Sequence, residues 1–153
     1  MASPSDTDKA RSQREINNRL TVLINRANGA ILDTVNGALE EFDLSPTQYA
    51  TLLMLGCNPG TSSAGLARLV NITPQTMGVV VTKLETRGLV MRQPAEIHSR
   101  VLTITLTEDG NRLLQSADAA IQDVERHLAD SLSAPEVEHL KALLGRVTRT
   151  LLA

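Results

Sequence analysis

Aromatic side chains are almost absent from this chain of 153 residues. Phe42 and Tyr49 are the only two, and there is no tryptophan. Sites for single-stranded nucleic acid usually stack bases on exposed aromatic rings, so this composition disfavours a single-stranded partner. The core must instead be built from leucine, valine, isoleucine and alanine.

Cysteine and long apolar runs are equally scarce. The single cysteine, Cys57, cannot form an internal disulfide, which agrees with a reducing compartment. No run of about 18 apolar residues occurs, and the first ten residues lack the basic start and apolar stretch of a signal peptide. We therefore expect a cytoplasmic protein with no membrane partner.

Signatures of an enzyme are missing as well. His98, His127 and His139 are spaced unlike metal ligands. No phosphate-binding glycine loop and no nucleophile motif occurs. The sequence therefore predicts no catalytic site, no metal site and no cofactor, and we do not expect an enzyme.

Long amphipathic helices are predicted at both ends of the chain. Apolar residues recur there at steps of three and four, the spacing of one helix face. Residues 1–8 are small and polar, which is typical of a mobile end. Residues 9–43 and 108–153 are predicted to form dimerisation helices, with a bend near Gly29 or Gly37 allowed, and the whole chain is expected to be one structural domain.

The apolar stripes of these helices are longer than one small lobe could cover. A second copy of the chain would cover them, which predicts a homodimer. The alternative is a heptad-like seam inside one monomer.

The middle of the chain, residues 44–107, carries a different order of elements. Ser45, Pro46 and Gln48 form a capping box that begins one helix, and further starts and stops follow. The predicted order is a short helix over 63–70, a tight turn over 71–73, a helix over 74–87, and a hairpin of 89–93 and 101–106 joined by a polar loop. Helix, turn, helix and hairpin in this order make a winged helix-turn-helix, which indicates a DNA-binding lobe in a mainly α protein with a small β wing.

Charge is distributed in agreement with this prediction. Residues 62–107 hold five basic and two acidic side chains, a net charge of plus three. The segments before and after are net acidic, and the whole chain is minus two. Positive charge is therefore concentrated in the segment expected to approach phosphate.

The helix that begins at Thr73 is predicted to read the major groove with its first turns. Gln75 can bond adenine, Thr76 and Val79 can contact thymine methyls, and Lys83 and Arg87 suit phosphates. The predicted contact set is Ser62, Ser63, Thr73, Pro74, Gln75, Thr76, Gly78, Val79, Thr82, Lys83, Arg87, Arg92, His98, Ser99 and Arg100. The alternative is that Thr73, Thr76 and Thr82 are ordinary exposed helix residues and that Arg100 is a solvated loop charge.

Three segments together resemble the MarR family of bacterial regulators. They are Leu44-Ser45-Pro46-Thr47-Gln48-Tyr49, then Lys83-Leu84-Glu85-Thr86-Arg87-Gly88-Leu89-Val90, and Leu106-Thr107-Glu108-Asp109-Gly110. The resemblance implies a homodimer with interlocked first, fifth and sixth helices. It also implies two lobes that read a pseudo-palindromic duplex, and often a small ligand that weakens DNA binding. The resemblance further implies a ligand pocket near the first, second and fifth helices, and the missing aromatics predict an aliphatic lining.

The chain departs from the family pattern in the wing. The family usually carries an aspartate two residues before the arginine that enters the minor groove, and here the matching residues are His98 and Arg100. A protonated histidine would repel the guanidinium. We therefore hypothesise a looser, pH-sensitive wing with Glu96 as a substitute partner.

Two other functions stay open from the sequence. One is a winged-helix module that binds a protein and not DNA, because five basic residues are a modest number. The other is a thiol-based redox regulator that uses Cys57, although a cysteine at the end of an apolar helix is more typically a small core residue.

Overall fold

A computed structural model describes residues 6–94 and 102–152 of the chain. In these two ranges the elements are α1 Asp6–Asn17, α2 Leu20–Leu39, a short 3-10 turn Glu40–Phe42, α3 Pro46–Cys57, β1 Thr61–Ser62, α4 Ser63–Val70, α5 Pro74–Thr86, β2 Val90–Pro94, β3 Leu102–Leu106, α6 Glu108–Ala129 and α7 Ala134–Leu152. The prediction of a mainly α protein with a small β wing is confirmed. None of the described helices has the length and apolar character needed to cross a lipid bilayer.

The core lies inside the lobe formed by α3, α4, α5 and the sheet. Leu52, Leu66, Met77, Leu84 and Ile104 are fully buried there and come from four different elements. Burying a side chain of this size stabilises the fold by about 2 kcal/mol, so the lobe is held by aliphatic packing. The long helices contribute Leu39 and Ala117 to the same core.

Helix ends in the lobe follow the capping signals of the sequence. The Ser45 hydroxyl accepts a hydrogen bond from the Gln48 amide at 3.2 Å, and the Gln48 side chain accepts one from the Ser45 amide at 2.8 Å. Gly88 ends α5 in the left-handed conformation, with φ 70°. The predicted capping box is confirmed, and both helix ends are decided by local chemistry alone.

The first long helix differs from its prediction. It begins at Asp6, inside the segment predicted as a mobile end, and it is broken at Asn18 and Arg19. Arg19 has an extended conformation with ψ 135°, whereas α2 runs without interruption through Gly29 and Gly37. The break thus lies ahead of the two glycines at which a bend was allowed: successive asparagines at 17 and 18 favour it, because asparagine side chains compete for backbone hydrogen bonds.

Two smaller features also differ. The predicted hairpin is part of a three-stranded sheet in the order β1, β3, β2, because Thr61 pairs with Ile104 and Ser62 with Thr103. The start of α7 forms half of a capping box: the Glu136 carboxylate accepts hydrogen bonds from the Ser133 amide and hydroxyl, so the hydroxyl acts as a donor. These bonds lower the pKa of Glu136.

The start of α6 packs directly on the turn that follows α5. The Thr107 amide donates to the Leu89 carbonyl at 3.1 Å, and the Thr107 hydroxyl donates to the Gly88 carbonyl at 2.6 Å. The same hydroxyl accepts from the Gly110 amide at 3.0 Å. A Cβ atom on Gly110 would overlap the backbone of Leu89, so this approach requires glycine.

A second link joins the lobe to α6. The Tyr49 hydroxyl donates to the Asp118 carboxylate at 2.6 Å, and the Tyr49 side chain is buried. Burial, the hydrogen bond to Asp118 and the nearby negative charges raise the pKa of Tyr49 above its ordinary value. The phenol therefore stays protonated and keeps α3 attached to α6.

Gly110→Ala should destabilise the fold by about 2 kcal/mol or more, because the added methyl group meets backbone and not a flexible side chain. Urea unfolding followed by circular dichroism would measure the change. The matched control is Gly37→Ala, whose added methyl meets nothing within 4 Å. That change should stabilise helix α2 by about 0.5 kcal/mol. An equal effect of the two substitutions would contradict the packing described here.

Tyr49→Phe should lower the free energy of unfolding by about 1.5 kcal/mol at neutral pH, because one hydrogen bond to a carboxylate is lost. The raised pKa means that this contribution is present below the unfolded pKa of about 10 and is lost as pH rises further. Since Tyr49 is the only tyrosine and there is no tryptophan, phenolate absorbance reports this residue alone. Titration of the native protein near pH 10, as in urea, would contradict the assignment.

Candidate nucleic-acid interface

Helices α4 and α5 form the helix-turn-helix. Asn71 ends α4 in the left-handed conformation with φ 58°, and the Ile72 amide returns to the Ala67 carbonyl at 2.9 Å. Thr73 then caps α5. The tight turn predicted over 71–73 is confirmed.

Helix α5 has one buried face and one exposed face. Met77, Val80, Val81 and Leu84 enter the core. The exposed residues recur at helical spacing on the opposite side: Pro74, Gln75, Thr76, Val79, Thr82, Lys83 and Thr86. Val79 is 57% exposed, and nothing in the lobe covers this apolar side chain. The predicted base-reading residues therefore share one accessible face.

Hydroxyl groups in the first turn of α5 form hydrogen bonds within that turn. The Thr73 hydroxyl accepts from the Thr76 amide at 3.2 Å and lies 2.8 Å from the Thr76 hydroxyl. Gly78 adds no side chain to this face, and a Cβ there would meet nothing within 4 Å. At the start of α4, Ser62 plays the same capping part, because its hydroxyl accepts from the Gly65 amide at 3.2 Å, and the half-buried Ser63 follows. The hydroxyls of Ser62, Thr73 and Thr76 thus have local partners before any DNA is present.

Arg87 has protein partners that the sequence did not indicate. Its guanidinium donates to the carbonyl of Asp43 at 2.5 Å and to the carbonyl of Phe42 at 3.1 Å, and its side chain is 29% exposed. The Asp43 carboxylate lies 3.7 Å away. Arg87 is thus engaged at the end of the 3-10 turn that follows α2.

Arg92 also has protein partners. It pairs with the Glu85 carboxylate at 2.9 Å and donates to the Thr82 hydroxyl at 3.1 Å. This pair joins strand β2 to helix α5. The partners of these two arginines could not be predicted from sequence spacing, because each partner lies in a different element of the fold.

Of the other basic residues in the lobe, some lie within the described residues and one, Arg100, lies outside them. Lys83 is exposed on the same face of α5 as Gln75 and Val79, and Arg68 is exposed on α4. The predicted wing residues His98, Ser99 and Arg100, with Glu96, lie outside the described residues. Their roles stay predictions.

The thiol of Cys57 differs from its prediction. We expected a small core residue, but Cys57 is exposed. It is the last residue of α3, where Asn58 ends the helix and the chain turns outward. Cys57 is exposed because it lies at the very end of α3, past the last buried residue of that helix.

An apolar groove with a volume of about 230 Å³ lies between α2 and α6. Its lining is Ala27, Ala30, Ile31, Thr34 and Val35 from α2 with Val124, Glu125, His127 and Leu128 from α6. The lining is aliphatic, as the lack of aromatic residues predicts. Helix α3 takes no part in it, although the second helix was expected nearby.

The helix-turn-helix with an adjoining antiparallel sheet defines a winged-helix protein. The MarR family model matches residues 44–97. The HTH-type transcriptional repressor Rv2887 of Mycobacterium tuberculosis is 34% identical over 128 residues, which cover 84% of this chain and 92% of that protein. The chain belongs to the MarR family.

Solved structures agree with this membership. Rv2887 in complex with salicylic acid matches with a TM-score of 0.67 and 35% identity, covering 84% of this chain and 96% of that chain. CouR from Rhodococcus jostii RHA1, bound to p-coumaroyl-CoA, matches with a TM-score of 0.77 and 27% identity, covering 85% and 92%. The likeness spans both the lobe and the long helices.

Lys83→Ala should weaken operator binding and reduce its dependence on salt, because a phosphate contact releases counterions. The slope of log affinity against log salt should fall by about 0.9 for each lobe bound. Fluorescence anisotropy with a labelled duplex at several salt concentrations measures it. Lys141→Ala on α7 removes the same charge far from the lobe and is the control. Equal slopes in both variants would show that Lys83 does not contact phosphate.

Proposed function

We propose that this protein is a homodimeric transcriptional repressor that binds a pseudo-palindromic DNA duplex and is released from it by a small ligand. The observation that carries the proposal is the accessible face of α5. Gln75, Thr76 and Val79 stand there on the side opposite to the core.

The chemistry of this face suits the major groove. An amide side chain can bond the adenine edge, and the Thr76 and Val79 methyl groups can contact thymine methyls. An apolar residue that is 57% exposed is hard to explain by packing alone. Lys83, one turn further along the same face, is positioned to approach the phosphate backbone.

The dimer is supported by apolar surface that one chain leaves uncovered. Helix α7 has only marginal contact with the other described elements. Its stripe remains exposed at Leu140, Leu143 and Leu144, and α1 and α2 expose Ile16, Leu20 and Leu23. A closed two-fold interface would bury both stripes, whereas a seam inside one monomer leaves them in water. Residues 9–43 and 108–153 would serve as the dimerisation helices and residues 44–107 as the DNA-binding lobe.

The small ligand is supported by the groove between α2 and α6. Its size fits a compact organic molecule, and its lining is apolar with Glu125, His127 and Thr34 as polar groups. Salicylic acid, bound to the relative Rv2887, is a ligand of this compact kind, whereas the relative CouR binds the much larger p-coumaroyl-CoA.

The proposal assigns the chain a regulatory role and no catalytic one, in line with a family of transcriptional regulators. Because its partner would be chromosomal DNA, the proposal includes a cytoplasmic location.

Selection of bound duplexes from a random pool tests the proposal. We expect two inverted half-sites whose centres lie about 10 base pairs apart, or a multiple of that, because each lobe enters one major groove on the same face of the duplex. Light scattering of the free protein should give twice the mass of one chain. Affinity for the selected duplex should fall as salt rises.

Three results would count against this function. A lack of preference for any duplex at low ionic strength would remove DNA recognition. Affinity that is flat against salt would favour a protein-binding module. A monomer mass at micromolar concentration would remove the two-fold arrangement and leave the apolar stripes unexplained.

A further inference from the structure

Arg87 connects two helix ends that hardly touch otherwise. It is the C-cap residue of α5, and its guanidinium reaches the end of the 3-10 turn that follows α2. Helices α2 and α5 have at most marginal contact with each other among the described elements. Both helices pack on α3, and Arg87 adds a direct hydrogen-bonded link between their ends.

Two backbone carbonyls at the end of the 3-10 turn are left free by the hydrogen bonds of the turn itself. The Asp43 amide donates to the Glu40 carbonyl at 3.0 Å and the Leu44 amide donates to the Leu39 carbonyl at 3.3 Å, which closes the turn. The carbonyls of Phe42 and Asp43 come after these bonds, and Arg87 takes both. Asp43 is left-handed there, with φ 51°, so that its carbonyl turns toward the lobe.

Arginine suits this place better than any other residue. Its planar guanidinium donates two hydrogen bonds in a fixed fork, whereas a lysine ammonium is a single point charge. Its positive charge also lies near the carbonyl ends of two helical segments, where a cation is favoured. The nearby Asp43 carboxylate is 94% exposed and 3.7 Å away, so the ion pair adds little.

We infer that Arg87 is a positioning residue for DNA recognition, which sets the orientation of α5 relative to α2 and does not grip phosphate. The inference rests on the proposed function and deepens it. Helix α2 forms one wall of the apolar groove, and Arg87 ties the far end of that helix to the helix that reads the bases. A displacement of α2 would then change the angle at which α5 enters the major groove.

The test compares Arg87→Lys and Arg87→Gln on the duplex selected above. Both variants lose the pair of hydrogen bonds that the guanidinium donates, so both should bind the duplex roughly tenfold more weakly. This is the factor expected from losing a charge-assisted hydrogen bond. The salt slope should remain that of the unchanged protein in both, because no phosphate contact is lost. Asp43→Asn keeps the backbone carbonyl and tolerates the left-handed conformation, so it should bind within about twofold of the unchanged protein.

A second measurement separates positioning from stability. Spin labels on α5, at Val79→Cys in a Cys57→Ser background, report the distance between the two recognition helices of the dimer. Arg87→Lys should broaden this distance distribution well below the melting temperature. A contact that only stabilises the fold would lower the melting temperature and leave both the distribution and the affinity of the folded protein unchanged.

Several results would overturn the inference. The first is an Arg87→Lys variant whose affinity for the duplex is unchanged. The second is an Arg87→Gln variant whose slope of log affinity against log salt falls by about 0.9 for each lobe. The third is an Asp43→Asn variant that binds the duplex as weakly as Arg87→Lys. Each requires that the unchanged protein binds the selected duplex. If the unchanged protein binds no duplex, the proposed function fails instead.

Discussion

The close approach of α6 to the turn after α5 is the constraint on which the rest of the structure depends. Thr107 holds the backbone of Gly88 and Leu89 with two hydrogen bonds, and Gly110 allows the contact because it has no side chain. Three parts of the molecule meet at this point: the end of the recognition helix, the first wing strand and the long helix α6. The position of α5 and β2 relative to α6 is therefore constrained by backbone contacts that tolerate no added atom.

Charge in the lobe serves two purposes. Arg87 and Arg92 use their guanidinium groups to hold α5 against the end of α2 and against β2. The accessible charge on the reading face is then Lys83, with threonine, glutamine and valine around it. In the described part of the lobe few cations lack a protein partner, so recognition there would depend more on geometry and base contacts than on a strong electrostatic field. This arrangement agrees with a regulator whose DNA affinity responds to small changes in helix angle.

Most of the lobe could be predicted because its signals are local. The capping box at Ser45, the proline after Thr73 and the glycine after Arg87 each act within one helical turn. The break at Asn18 and the strand at Thr61 could not be predicted in the same way. The break depends on a competition between weak helix formers. The strand exists only because β3 supplies a partner about forty residues further along the chain.

The sequence by itself determined the order of elements from α3 onward apart from β1, the exposed face of α5 and the family, because periodicity, caps and short motifs act between near neighbours. Only the tertiary structure decided which protein groups the arginines contact. Arg87 and Arg92 read as DNA contacts in the sequence, and their partners Phe42 and Glu85 meet them only after the lobe has packed. A charge on a helix is a property of the sequence, whereas its partner is a property of the fold.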